Sequence, residues 1–164
     1  MAIQFALNHP DMVDKLVLMA PGGLEQRETY MKMDGIRAMM KSFFAPGGIT
    51  RESMIRVFEH QLYSAIHLTP EIIDERMAIA PLQPKRVLST MHVPWLTPEL
   101  GRLGCPVFAL WGQNDRFCPV SGAHTIVQHV DHARVTILSR CGHWVMVEYE
   151  SLFNRLCVDF LRNG

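Results

Sequence analysis

Three strand-like runs separated by helical patterning do most to decide what this chain can fold into. Leu16-Val-Leu-Met-Ala20 is apolar at every position and is broken by Pro21-Gly22-Gly23. Pro106-Val-Phe-Ala-Leu-Trp111 and Arg134-Val-Thr-Ile-Leu138 come late in the chain, and each leads into a loop. Strands that are apolar on both sides need cover on both sides, which is the situation of a parallel sheet with helices on its two faces. The fold class expected is therefore α/β. Ahead of the first run, Ala2, Ile3, Ala6 and Leu7 form a helical apolar face that stops at His9-Pro10, where proline disfavours helix in its neighbour. The pattern reads as helix from the first residue, with no capping residue or polar lead-in, so a preceding segment is expected.

The stretch from Glu25 to about His92 has a different character. Ile36, Met39, Met40 and Phe43 lie on one helical stripe, and Ala45-Pro-Gly-Gly48 ends it. Thr50 is placed to cap a helix running to about Tyr63, and Thr69-Pro70 starts another, with a capping residue followed by proline at the first helical position. No strand-like run interrupts this part. It reads as a helical insertion over residues 25–97, between core segments 1–24 and 98–164. Its methionines serve either plain packing or a flexible binding wall. The last helix is expected from about Ser151 to Leu161, with Leu152, Phe153, Leu156, Cys157, Phe160 and Leu161 on one face.

Composition removes several classes of function. The 164 residues carry 16 Lys plus Arg and 16 Asp plus Glu, which gives no basic excess for nucleic acid or an anionic membrane surface. No apolar run approaches membrane-spanning length. Cys105, Cys118, Cys141 and Cys157 form no C-x-x-C pair and, with the eight histidines, no metal-ligand spacing. Reduced thiols and a cytoplasmic setting are expected.

The chemistry lies in two of the loops. In an open parallel sheet, ligands bind beyond the carboxyl ends of the strands. Gly112-Gln-Asn-Asp115-Arg-Phe-Cys-Pro119 leaves one such end and Cys141-Gly142-His143-Trp144 leaves the next. An aspartate and a histidine on successive strand ends are placed to meet. A carboxylate accepting from an imidazole N–H fixes the tautomer of a general base. The chain order acid then base fits a nucleophile–acid–base triad, in which the nucleophile comes first. Read singly, Asp115 is equally a turn aspartate and His143 equally a polar strand cap. No serine or cysteine stands in a G-x-S-x-G or G-x-C-x-G string. Arg76 has Ile72, Ile73, Ile79 and Ala80 as its helical neighbours, so its guanidinium needs an anion or a route to water. A substrate carboxylate, a core-domain carboxylate and solvent are all open as its partner. Cys141 is too close in sequence to His143 to reach across to it and reads as a buried thiol. Trp144 is either core or pocket wall.

Together these strings resemble the meta-cleavage product hydrolases, C–C bond hydrolases of the α/β-hydrolase fold. The resemblance is carried by H-P-D-M-V-D-K-L-V-L-M-A-P-G-G-L (His9 to Leu24), W-G-Q-N-D-R-F-C-P (Trp111 to Pro119), S-R-C-G-H-W-V-M-V-E (Ser139 to Glu148) and F-N-R-L-C-V-D-F-L-R (Phe153 to Arg162). It covers nearly the whole chain and is weakest in the helical insertion. It implies that Asp115 is the triad acid, His143 the base, Trp144 a pocket residue beside the base, and Arg76 the lid residue that holds the substrate carboxylate. The implied reaction ketonises a ring-fission dienol and hydrolyses the resulting vinylogous diketone, with no cofactor, in the breakdown of aromatic or steroid compounds. The wording around C-G-H-W is nearest the steroid branch. The implied partner is a small carboxylate substrate, and the parent protein is expected to be a homo-oligomer. The family's nucleophile and oxyanion-hole loop have no counterpart in these residues, so the chain alone is expected to show no turnover and to be of low stability. Two other readings stay open, a carboxylesterase or lactonase of the same fold, and a non-catalytic interaction protein derived from a hydrolase half.

Overall fold

The computed structural model describes residues 1–83, 86 and 92–164. The part of the expected insertion that falls on residues 84–85 and 87–91 lies outside the described residues. Helix α1 (Ala2–Asn8) leads to strand β1 (Leu16–Met19). Four helices follow, α2 (Arg27–Lys32), α3 (Asp34–Phe43), α4 (Arg51–Gln61) and α5 (Pro70–Ile79). A 3₁₀ turn (Thr97–Arg102) precedes β2 (Val107–Gly112), α6 (Ser121–His129), β3 (Ala133–Leu138), α7 (Val145–Glu148) and α8 (Glu150–Asn163).

The three strands form one parallel sheet in the order β1-β2-β3. β2 is central and buried at all six positions. Alternate residues serve opposite layers, as the two-residue period of a strand requires. Val107, Ala109 and Trp111 join Leu16 and Leu18 under α1 and α6, while Phe108 and Leu110 join Cys141, Val145 and Phe160 under α7 and α8. Burial of each large apolar side chain contributes about 1.5–3 kcal/mol, so β2 and its neighbours anchor the domain. The Trp111 indole N–H donates to the Cys118 carbonyl at 3.0 Å, which satisfies the polar atom of the largest buried side chain. Among the described residues β1 pairs only with β2, so its other edge is open.

Helix starts in the insertion follow local chemistry. Thr50 and Ser53 form a reciprocal capping box at α4, and the Thr69 hydroxyl caps α5, with Pro70 at the first helical position. Met54, Phe58 and Ile73 make a small separate core there, against which Trp144 packs. The expected stripe of α3 is only half-buried, and its buried positions are Gly35 and Ser42. α8 also differs from expectation. Phe160 is its buried residue, seated against Phe108 at 5.5 Å between ring centroids. Leu161 comes next along the helix, turned about 100° away, and is exposed. Among the described residues no helix is long and apolar enough to cross a membrane.

Candidate active site

The loops after β2 and β3 cross at close range. Gly112 ends β2 where its backbone meets the carbonyls of Cys141 and Gly142, and a Cβ there would overlap both. Asn114 N–H donates to the Cys141 carbonyl at 2.9 Å. The crossing needs glycine because only a residue without a side chain lets two backbones approach this closely. It brings Asp115 to His143, and the Asp115 Oδ2 accepts from His143 Nδ1 at 2.8 Å. The Asp115 side chain has no exposed surface and that of His143 keeps 19%.

Backbone donors orient the carboxylate. Asp115 Oδ1 accepts from the N–H groups of Phe117 at 2.7 Å and Cys118 at 2.9 Å, which leaves Oδ2 for the imidazole. The Phe117 ring stacks on the His143 ring at 5.3 Å and 29°. With Nδ1–H committed to Asp115, His143 Nε2 carries the free lone pair, as a general base requires. On the base side Arg140 sits at φ +51°, an uncommon conformation for a residue with a side chain, in the turn that presents Cys141-Gly142-His143.

Arg76 and Trp144 meet although they lie on different segments. The guanidinium carbon stands 5.3 Å from the centre of the Trp144 ring, a cation–π contact, and Phe58 meets the same ring edge-on at 4.8 Å. The environment of Arg76 is more open than the sequence suggests. Ile73 is buried and Ile79 is exposed, so the guanidinium rests on an aromatic face with access to solvent. Both residues line a cavity of about 230 Å³ with Met39, Phe43, Val57 and Phe58. Among the described residues this lining is mostly apolar with one cation, as suits an apolar anion.

Cys141 is fully buried, and burial followed by the Glu148 charge pushes its thiol up to about 12. Cys118 is raised further by burial, with the Asp115 charge adding to it. Thiols held protonated in this way are not nucleophiles. Among the described residues no cluster of three His, Cys, Asp or Glu could hold a metal ion. Three residues at the site were not singled out from sequence, namely Phe117, Gln61 and Glu148. Phe117 was legible only as part of the acid loop. Gln61 acts through its main-chain carbonyl, which sequence does not mark. The signal at Glu148 was a lone carboxylate closing the apolar string V-M-V-E.

A parallel sheet covered on both faces, with an aspartate and a histidine paired on successive strand-end loops beneath a layer of helices, has the architecture of the C-terminal part of the α/β-hydrolase fold. No family model matches the chain. Curated relatives include the 2-hydroxy-6-oxononadienedioate/2-hydroxy-6-oxononatrienedioate hydrolase of Comamonas testosteroni, 34% identical over 172 residues, covering 99% of this chain and 59% of that protein. The 2-hydroxy-6-oxo-6-phenylhexa-2,4-dienoate hydrolase of Burkholderia cepacia is 34% identical, again over 99% of this chain and 59% of that protein. The solved structure of a meta-cleavage product hydrolase from Pseudomonas fluorescens IP01, complexed with acetates, is 25% identical and superposes with a TM-score of 0.80 over 98% of this chain and 60% of that one. In sequence the chain is a relative of the meta-cleavage product hydrolases, to whose C-terminal portion it corresponds. It spans about three-fifths of the length of the relatives it matches.

Proposed function

We propose that this chain supplies the acid, the base and the carboxylate-binding lid of a serine-type hydrolase that cleaves C–C bonds in ring-fission dienoates. The observation that carries the reading is the fully buried Asp115 carboxylate, oriented by two backbone N–H groups and bonded to His143 Nδ1 at 2.8 Å. Such a pair suits general-base chemistry. It keeps Nε2 ready to take a proton from a nucleophile or water and stabilises the imidazolium that results. The domain reading follows from this, with core segments 1–24 and 98–164 and a lid over 25–97.

In this reading the substrate carboxylate lies at Arg76, the planar dienoate runs along Trp144, and the apolar cavity wall receives the acyl substituent. An arginine already desolvated on one side by an indole binds a carboxylate without reorganising. No cofactor is required. No G-x-S-x-G string occurs in these residues, so the nucleophile belongs to a segment outside them. The four unpaired cysteines suit a reducing cytoplasm. A homo-oligomeric parent is part of the proposal.

The test is binding followed by turnover. A ring-fission dienoate titrated into the chain is expected to bind, with affinity falling at least tenfold in Arg76→Ala. Joining the chain to the uncovered part of the Comamonas testosteroni relative is expected to restore hydrolysis, and His143→Ala in the chimera to abolish it. A series of acyl groups from methyl to steroid-derived then locates the substrate. A carboxylate-free ester as the best substrate, indifferent to Arg76→Ala, would overturn the C–C reading.

A further inference from the structure

The Glu148 carboxylate accepts three bonds from backbone groups and stands beside the Cys141 thiol. Its Oε1 accepts from the N–H groups of Tyr63 at 2.7 Å and Ser64 at 3.0 Å, and its Oε2 accepts from Gly142 N–H at 2.6 Å. Tyr63 and Ser64 lie just past the end of α4 in the lid, and Gly142 immediately precedes the base. Two further bonds join the same segments, because the Gln61 carbonyl accepts from His143 N–H at 2.7 Å and from Trp144 N–H at 3.1 Å. Three consecutive peptide N–H groups, those of residues 142, 143 and 144, are therefore spent on one joint between lid and base loop. The joint is close-packed, since a Cβ on Gly142 would stand 2.6 Å from the Gln61 carbonyl oxygen.

From this geometry we infer that Glu148 is a positioning residue, fixing the backbone that carries His143 to the end of α4 so that the base and the lid are held in one register. The inference rests on the reading of His143 as the base. Glu148 acts through peptide groups, and its bonds reach the base only by way of Gly142. A carboxylate is required because three donors converge from two directions and both oxygens must accept. An amide offers one acceptor oxygen and turns an NH₂ group toward an N–H. An aspartate is one methylene too short to span the two segments. Charge-assisted bonds of this kind are about twice as strong as neutral ones, which suits a joint that must hold a catalytic ring still.

The experiment uses the full chain, with ¹⁵N-resolved exchange of the backbone amides and of the His143 ring proton. In the native protein the ring Nδ1–H is expected to be protected by Asp115. In Glu148→Gln, at least one of the Gly142, Tyr63 and Ser64 amides is expected to exchange tenfold faster or more. The ring proton is expected to accelerate at least as much, while the Phe117 and Cys118 amides keep their native rates. Glu148→Asp, which keeps the charge and shortens the reach, is expected to fall between the two and stands in if Glu148→Gln does not fold. Faster amides with a ring proton exchanging at the native rate would make Glu148 merely structural and overturn the proposal. An unprotected ring proton in the native protein would instead remove His143 as the base, and the positioning reading would fall with it.

Discussion

The seat of the Asp115–His143 pair and the wall of the adjoining cavity are built in opposite ways. The Asp115 side chain is fully buried, its carboxylate accepts three short hydrogen bonds, and two of the three donors are backbone groups. Arg76 is exposed, rests on one face of Trp144, and shares a largely apolar cavity whose wall comes mainly from α3, α4 and α5. In the proposed reading, proton chemistry, which tolerates little displacement, stands on the ends of the sheet, and recognition, which can tolerate adjustment, stands on a small helical layer with its own minor core. On that reading the difference teaches that a change at the first seat costs folding and chemistry together, whereas a change at the second falls mainly on binding.

The sharpest way to break that contrast is to delete one residue from each seat. Asp115→Ala leaves three buried or half-buried donors without an acceptor and is expected to lower the unfolding free energy by about 3 kcal/mol in urea. Arg76→Ala removes an exposed side chain and is expected to change stability by less than about 0.5 kcal/mol. Equal losses in the two variants would dissolve the distinction. Next in size is Gly142→Ala, whose methyl group meets the Gln61 carbonyl and the adjoining Leu62–Tyr63 backbone. Overpacking against backbone that is already hydrogen-bonded is expected to cost about 2 kcal/mol and to loosen lid and base loop together.

Cys141 gives a smaller effect that reports how dry the base loop is. Its folded-state thiol is pushed up to about 12, above the ordinary value near 9. The unfolded chain therefore releases that proton first as pH rises. The stabilisation is complete below pH 9 and is lost progressively up to about pH 12. Unfolding measured at pH 8 and pH 10 is expected to differ by about 1 kcal/mol through this thiol, so that the difference is smaller by that amount in Cys141→Ala, where the other buried thiols still contribute. A pH-independent Cys141 contribution would mean that the loop is wetter than its packing implies. A comparably small effect is expected at Trp144→Leu, where loss of the Phe58 edge contact and of the platform under Arg76 costs about 1 kcal/mol of stability or less. The same substitution is expected to weaken carboxylate binding about fivefold by calorimetry.

What was legible in the sequence follows the same division. β2 could be read because positions buried on both faces leave an unbroken apolar run, β1 and β3 because short β-branched and apolar stretches stand between turns, and Asp115 and His143 because each lies in the loop that follows a strand. The caps at Thr50 and Thr69 were legible because capping is local chemistry. The meeting of Arg76 with Trp144 was not legible, since nothing near either residue encodes the other; the family resemblance implied a separate pocket role for each. α7 was hidden because V-M-V-E is a single turn, too short for a period to show. Leu161 was misplaced because an apolar stripe continues in sequence past the point where the helix runs beyond its partner. The joint made by Gln61 and Glu148 was invisible because most of its partners are peptide groups, which look the same in every sequence.

The account stands on the proton at His143 Nδ1, and ¹⁵N chemical shifts of the imidazole in its neutral form measure that proton directly. The native chain is expected to show His143 as the Nδ1–H tautomer with Nε2 unprotonated, and Asp115→Asn to reverse the two. A native His143 carrying its proton on Nε2, or one indifferent to Asp115→Asn, would contradict the claim that these two residues form an acid–base pair.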